Sequence, residues 1–179
     1  MKFWRLPPIL GFLLLMACGY QHPAARPVES GAIAINVTTW ENMTNEIFLE
    51  GVLLQKTADW LQQSRLYHME PDPSRAEYLL SGTIEAVNFP ATAFNSSDRA
   101  TTLKAWAKVT YRLREQATGK TLWEIKDTVR EKNFLAGVDA VHNRSNKEEA
   151  LAVIADELAE QIYLKLLIFL SEKPPESAK

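Results

Sequence analysis

Among the side chains able to do chemistry, the cationic ones are the most regularly spaced. Between Leu103 and Glu115 every second residue from Lys104 onward is long or polar, giving Lys104, Trp106, Lys108, Thr110, Arg112 and Arg114. Set on one side of a strand, such residues can meet anions: arginine grips phosphate bidentately, and tryptophan offers a flat apolar surface for cation-π contact. Other chemistries are thinly represented. His22, His68 and His142 are far apart, and no His-x-x-x-His pair, glycine-rich phosphate loop or nucleophile elbow occurs. Glu148 and Glu149 fit the wet face of a helix better than an acid–base pair. These residues argue for a protein that is not an enzyme and call for no cofactor and no metal.

Cys18 is the one cysteine, so neither an internal disulfide nor a thiolate zinc site is available. It closes an apolar run, Ile9 to Ala17, broken only by Gly11 and preceded by Lys2 and Arg5. That is the layout of an export signal, and it is about half the roughly 20 residues a spanning helix needs. Leu15-Met16-Ala17-Cys18 resembles the lipobox of bacterial lipoproteins. The resemblance implies cleavage before Cys18 and lipidation of its thiol, with palmitate-type chains anchoring the mature protein to a membrane. Gly19, where aspartate would signal inner-membrane retention in many Gram-negative bacteria, implies transfer to the outer membrane with the domain facing the periplasm.

The chain has 179 residues, 46% hydrophobic and 23% charged, which excludes a disordered tail, a collagen-like fibre and a polytopic membrane protein. A formal charge of -2 gives no bulk attraction to nucleic acid. Residues 1–17 read as the signal peptide, 18–31 as a lipidated tether containing Pro23 and Pro27, 32–171 as a single domain, and 172–179 as a loose tail after Pro174-Pro175 stops the last helix.

Positioning the basic residues requires a sheet. Ala32 to Thr39 alternates around Ile33, Ile35 and Val37 and predicts a first strand; Asn45 to Gln63, capped by Thr44, predicts a helix with Ile47, Leu54, Ala58 and Leu61 on its apolar stripe. After the Pro71-Asp-Pro73-Ser turn, strands are expected over Tyr78–Phe89, Leu103–Glu115 and Thr121–Phe134. Ser145-Asn-Lys-Glu148 reads as a capping box opening a final helix, whose stripe is Leu151, Ile154, Ala155, Leu158, Ile162 and Leu166. The order β-α-β-β-β-α predicts an α+β two-layer sandwich, with two helices on one face of a four-stranded mixed sheet.

Ala117-Thr118-Gly119 suits a bulged turn that pairs Gln116 with Lys120. Counting outward sets Arg112 opposite Glu124, Lys108 opposite Thr128 and Trp106 opposite Arg130. In that register Lys104, Lys108, Arg112, Arg114, Lys126, Arg130 and Lys132 share the open face with Glu124. Such a face is either a solvated guard against aggregation or a contact surface for an anion or a partner.

Several segments together resemble the LptE family of lipopolysaccharide-assembly outer-membrane lipoproteins. They are Cys18-Gly19-Tyr20, Ile35-Asn36-Val37 leading to Asn42-Met43-Thr44, Ala76-Glu77-Tyr78-Leu79-Leu80-Ser81-Gly82-Thr83-Ile84, Thr118-Gly119-Lys120-Thr121-Leu122-Trp123 and the final amphipathic helix. The resemblance implies a non-enzymatic two-layer fold. It implies as partners an LptD-like β-barrel, which the protein plugs and supports, and lipopolysaccharide, whose delivery to the outer leaflet it assists. Arg99, Lys104, Arg144 and Lys147 occupy regions comparable to the basic residues proposed for the family's lipopolysaccharide contact. They join Trp106, Lys108, Arg112, Arg114, Lys126 and Arg130 as candidate lipopolysaccharide or barrel contacts. The alternative is a periplasm-facing structural or secretion-accessory lipoprotein with the same small domain and no barrel partner.

Overall fold

The computed structural model describes residues 32–172. The expected signal, Cys18, the tether and the final seven residues lie outside the described part. Among the described residues seven strands and two helices follow in the order β1 (Ile33–Val37), β2 (Glu41–Asn42), α1 (Leu49–Gln63), β3 (Tyr67–Met69), β4 (Tyr78–Asn88), β5 (Ala91–Phe94), β6 (Ala100–Glu115), β7 (Thr121–Leu135) and α2 (Ala140–Glu172). The α+β class and the two helices on one side are as the sequence predicts. The sheet is larger than four strands.

Its order is β3-β1-β4-β6, with β7 on the outer edge of β6. β1 runs parallel to both β3 and β4, whereas β4, β6 and β7 are antiparallel neighbours. β2 continues the line of β1 along β4, and β5 continues the line of β4 along β6 after Pro90, which cannot donate to a ladder. β3 escaped the sequence reading because three residues are too few to show a period.

The alternation of β6 fixes which way the sheet faces. Ala105, Ala107, Val109, Tyr111 and Leu113 are buried beneath the helices. They join Ile35 and Val37 of β1, Leu80 and Ile84 of β4, and Leu151, Ile154, Ala155, Leu158, Ile162 and Leu166 of α2 in one core. Gly82 has a steric reason within it: a Cβ there would overlap the edge of the Trp40 ring, which is buried and tilted against Tyr111. Any larger residue there requires the indole or the strand to shift.

Both helix starts differ from expectation. α1 begins at Leu49 after Phe48, whose φ of 86° reverses the chain, and it buries Leu49, Leu53, Thr57 and Leu61. The expected stripe member Ile47 is exposed instead. Thr44 caps no helix; its hydroxyl donates to Asn42 Oδ1 and accepts the Glu46 N–H within the preceding turn. α2 begins five residues before Ser145, because Asp139 Oδ1 accepts the His142 N–H and Asn143 bonds back to the Asp139 carbonyl. The Ser145–Glu148 spacing, which suits a capping box, also suits neighbours on a helix surface.

The sheet has two distinct ends. β1 starts beside Tyr78 and Glu115, so the chain enters next to the Ala117–Gly119 turn, and Phe169 of α2 stacks edge-on against Tyr78 at the same end. The Asn95–Arg99 loop and the start of α2 lie at the other. The 16 residues of β6 separate the two ends by roughly 50 Å.

Candidate interaction site

The open side of β6 carries Lys104, Trp106, Lys108, Thr110, Arg112 and Arg114, none of them buried. The arrangement of their neighbours departs from the predicted register in an instructive way. Arg112 does stand opposite Glu124, between Leu113–Trp123 and Tyr111–Ile125. Beyond that point Lys126 and Asp127 both oppose Thr110, and pairing resumes with Val109–Thr128, Lys108–Val129, Ala107–Arg130 and Trp106–Glu131. The bulge moves every later residue of β7 to the opposite face from the one expected.

Arg130 and Lys132 therefore leave the open face. Arg130 Nη2 donates to Gln161 Oε1 of α2 at 2.6 Å, and Nη1 donates to the Val129 carbonyl at 2.9 Å. The expected pairing of Trp106 with Arg130 is replaced by Trp106 with Glu131. Because β7 is an edge strand, a bulge and charges turned toward the helix layer also make it a poor template for a second strand. The charged edge and the contact face are thus different surfaces.

A second bulge lies on the other side of β6. Glu85 is the extra residue between Ile84, opposite Val109, and Ala86, opposite Lys108. The two bulges bring carboxylates to one lysine: Lys108 Nζ is 2.8 Å from Glu85 Oε2 and 3.0 Å from Asp127 Oδ1. Thr110 Oγ1 donates to Glu85 Oε1 at 2.6 Å and accepts the Asp127 N–H at 3.3 Å. The hydrogen bond from Lys108 holds the Glu85 carboxyl below the ordinary carboxylate range, and Glu85 in turn raises the Lys108 ammonium. Asp127 adopts φ 51°, which an aspartate tolerates better than the β-branched residues usual in strands. An aspartate inside an apparent strand was the available signal for this bulge.

The remaining cations are distributed as follows. Lys104 Nζ meets Glu131 at 3.0 Å and Lys126 Nζ meets Glu124 at 3.2 Å. Arg112 is exposed, with its Nε donating to Ser81 Oγ at 3.3 Å, and Arg114 lies opposite Leu79. Beside Arg112, a shallow recess of about 210 Å³ is lined by Thr39, Glu41, Ser81, Thr83, Thr110 and Glu124. The face is hydrophilic and mixed in sign, not a uniform basic patch.

Three candidates lie away from it, at the far end of the sheet. Arg99 is exposed in a loop closed by Asn95, whose Oδ1 accepts the Ser97 and Arg99 N–H groups. Arg144 is exposed on the first turns of α2. Lys147 is engaged internally: its Nζ lies 2.7 Å from Glu46 Oε2 and 5.1 Å from the centre of the Phe89 ring. It ties α2 to the turn before α1.

This hydrophilic sheet face opposite a two-helix layer is the geometry on which the family comparison bears. The family model for LptE, lipopolysaccharide-assembly, matches residues 34–166. The chain belongs to the LptE family. No curated protein sequence matches it significantly. Solved structures sharing the fold include a candidate lipoprotein from Caulobacter crescentus, at TM-score 0.53 and 20% identity over 75% of this chain and 92% of that one. Another is lipoprotein B from Nitrosomonas europaea, at TM-score 0.51 and 13% identity over 79% and 86% of the two chains. The rare lipoprotein B from Shewanella oneidensis aligns at TM-score 0.50 and 10% identity over 76% and 96%. At family level this LptE-like chain is a lipopolysaccharide-assembly lipoprotein. Among the described residues no helix is long and apolar enough to cross a membrane.

Proposed function

We propose that this chain is an outer-membrane lipoprotein, acylated at Cys18, that sits in the lumen of an LptD-like β-barrel, supports it as a plug and assists delivery of lipopolysaccharide to the outer leaflet. The observation carrying the reading is the open sheet face: both helices lie on the other side, and the exposed surface is polar and mixed in charge. Barrel interiors are polar, so such a face complements a lumen wall where an apolar one would not. Its ion pairs, Lys104–Glu131 across β6 and β7 and Lys126–Glu124 within β7, are partly exposed and worth only about 0–1 kcal/mol each, so lysines and carboxylates can exchange partners with a wall at little cost. Arg99 and Arg144, exposed at the end far from the chain entry, remain the candidates for phosphate groups of lipopolysaccharide.

The test is affinity purification of the full-length lipoprotein after mild detergent extraction. The expected product is a stable complex with a β-barrel whose gel mobility changes on heating. Recovery of the acylated lipoprotein without any barrel would favour the accessory-lipoprotein reading.

A further inference from the structure

One face of α2 changes chemistry along its length. Glu157 and Glu160 are exposed; seven and four residues beyond them the same face presents Leu164, 48% exposed, and one turn later Ile168, 50% exposed. Their neighbours Ile162 and Leu166 are buried in the core, and Lys165 is the one charged residue from Ile162 to Phe169. Leu164 and Ile168 thus turn an apolar strip outward, while the core covers only the side of the helix that carries Ile162 and Leu166.

The change occurs at the end where the chain enters. Phe169 stacks on Tyr78 beside the start of β1, and Leu66, 54% exposed, precedes β3 at that same end. Only the 13 residues from Gly19 to Gly31 separate this end from Cys18. We propose that the Leu164–Ile168 face of α2 rests on the lipid surface to which Cys18 is anchored, with the charged Glu157–Glu160 part of the helix standing clear in water. The inference rests on the acylation proposed above. A tether this short keeps the helix end at high effective concentration beside the bilayer, so a small apolar contact is enough to dock it. The polar lumen of a barrel is the less suitable occupant for two aliphatic side chains. The helix lies at the interface and does not cross it.

The experiment uses the full-length acylated protein carrying Ile168→Cys or, separately, Glu157→Cys. Each is labelled with a nitroxide and reconstituted into vesicles of phosphatidylethanolamine and phosphatidylglycerol. With Cys18 acylated, the introduced thiol is the only one available. Collisions with oxygen should dominate at position 168 and collisions with a water-soluble nickel chelate at position 157, giving depth parameters of opposite sign. Aqueous values at both positions would overturn the contact. Dipolar broadening at 168 would overturn it too, by making a second copy the occupant. Leu164→Cys repeats the measurement should Ile168→Cys fold poorly. The intact mass of the same samples reports acylation independently. If Cys18 proves unmodified, the anchor is refuted; both samples then carry a label at Cys18, and the difference between them still reads position 168.

Discussion

On either side of Thr110 the β6–β7 hairpin behaves as two different structures. Toward the turn, Arg112 and Glu124 share the open face while Tyr111 and Trp123 meet edge-on beneath the helices. Away from the turn the edge strand is inverted: Val129 is exposed to water, and Arg130 reaches α2. One extra residue separates these halves. The lesson is that charge on a strand does not decide its side when an αL-tolerant residue can absorb a register shift, whereas the buried set Val109, Tyr111 and Leu113 on the partner strand admits no such freedom.

The difference is broken most severely at the buried junction. Val109 is 1% exposed, and Val109→Asp places a carboxylate beneath the helices with no partner, a cost of several kcal/mol. The expected outcome is loss of cooperative melting in circular dichroism. A soluble, native-like variant would mean that the two faces of β6 are reversed.

A smaller effect sharpens the role of the bulge itself. Asp127 at φ 51° is a position where glycine is unstrained and valine is not, so Asp127→Val should cost about 1–2 kcal/mol more than Asp127→Gly. The comparison is made by thermal denaturation of both variants, each lacking the exposed contact to Lys108. Equal stabilities would mean that the bulge relaxes without strain.

At the far end, Lys147→Ala removes a partly buried ion pair to Glu46 and a cation over Phe89, and should lower stability by about 1 kcal/mol. Arg144→Ala, three residues earlier on an exposed turn, should leave the melting temperature unchanged. That contrast distinguishes a lysine held in the fold from an arginine left exposed for the proposed contact, two residues that look alike in the sequence.

How much was legible follows from the same physics. The alternation of β6 and the stripe of α2 were readable because long elements repeat their burial pattern many times, and the structure retains both. β3 and β5 were not, being three and four residues long. The face of Arg130 was unreadable from an assumed constant register, since the extra residue at Lys126–Asp127 resets the count beyond Thr110. The capping box at Ser145 misled because local spacing favours a start there, while Asp139 offers the backbone an earlier one. The basic face was overestimated for the same reason: past the bulge Arg130 and Lys132 turn away, Glu131 takes the open side opposite Trp106, and Glu85 joins from β4.

The smallest effect concerns that earlier cap and its dependence on pH. The N–H of His142 holds the Asp139 carboxyl below its ordinary value of 3.8. A carboxyl whose pKa is depressed by folding stabilises the fold above its unfolded pKa and loses that contribution as pH falls through the folded one. Asp139 should therefore support α2 fully at neutral pH and release its first turns only below about pH 4. Asp139→Ala should weaken the first turn of α2 at pH 7, measurable as faster amide hydrogen exchange at Ala140 to Asn143, and should abolish any acid-dependent increase there. Because the core contacts of α2 begin only at Ala150, exchange beyond that residue should be unaffected. Uniformly faster exchange along α2 would instead mean that its first turns and its buried stripe form one cooperative unit, and that the end bearing Arg144 is as rigid as the core.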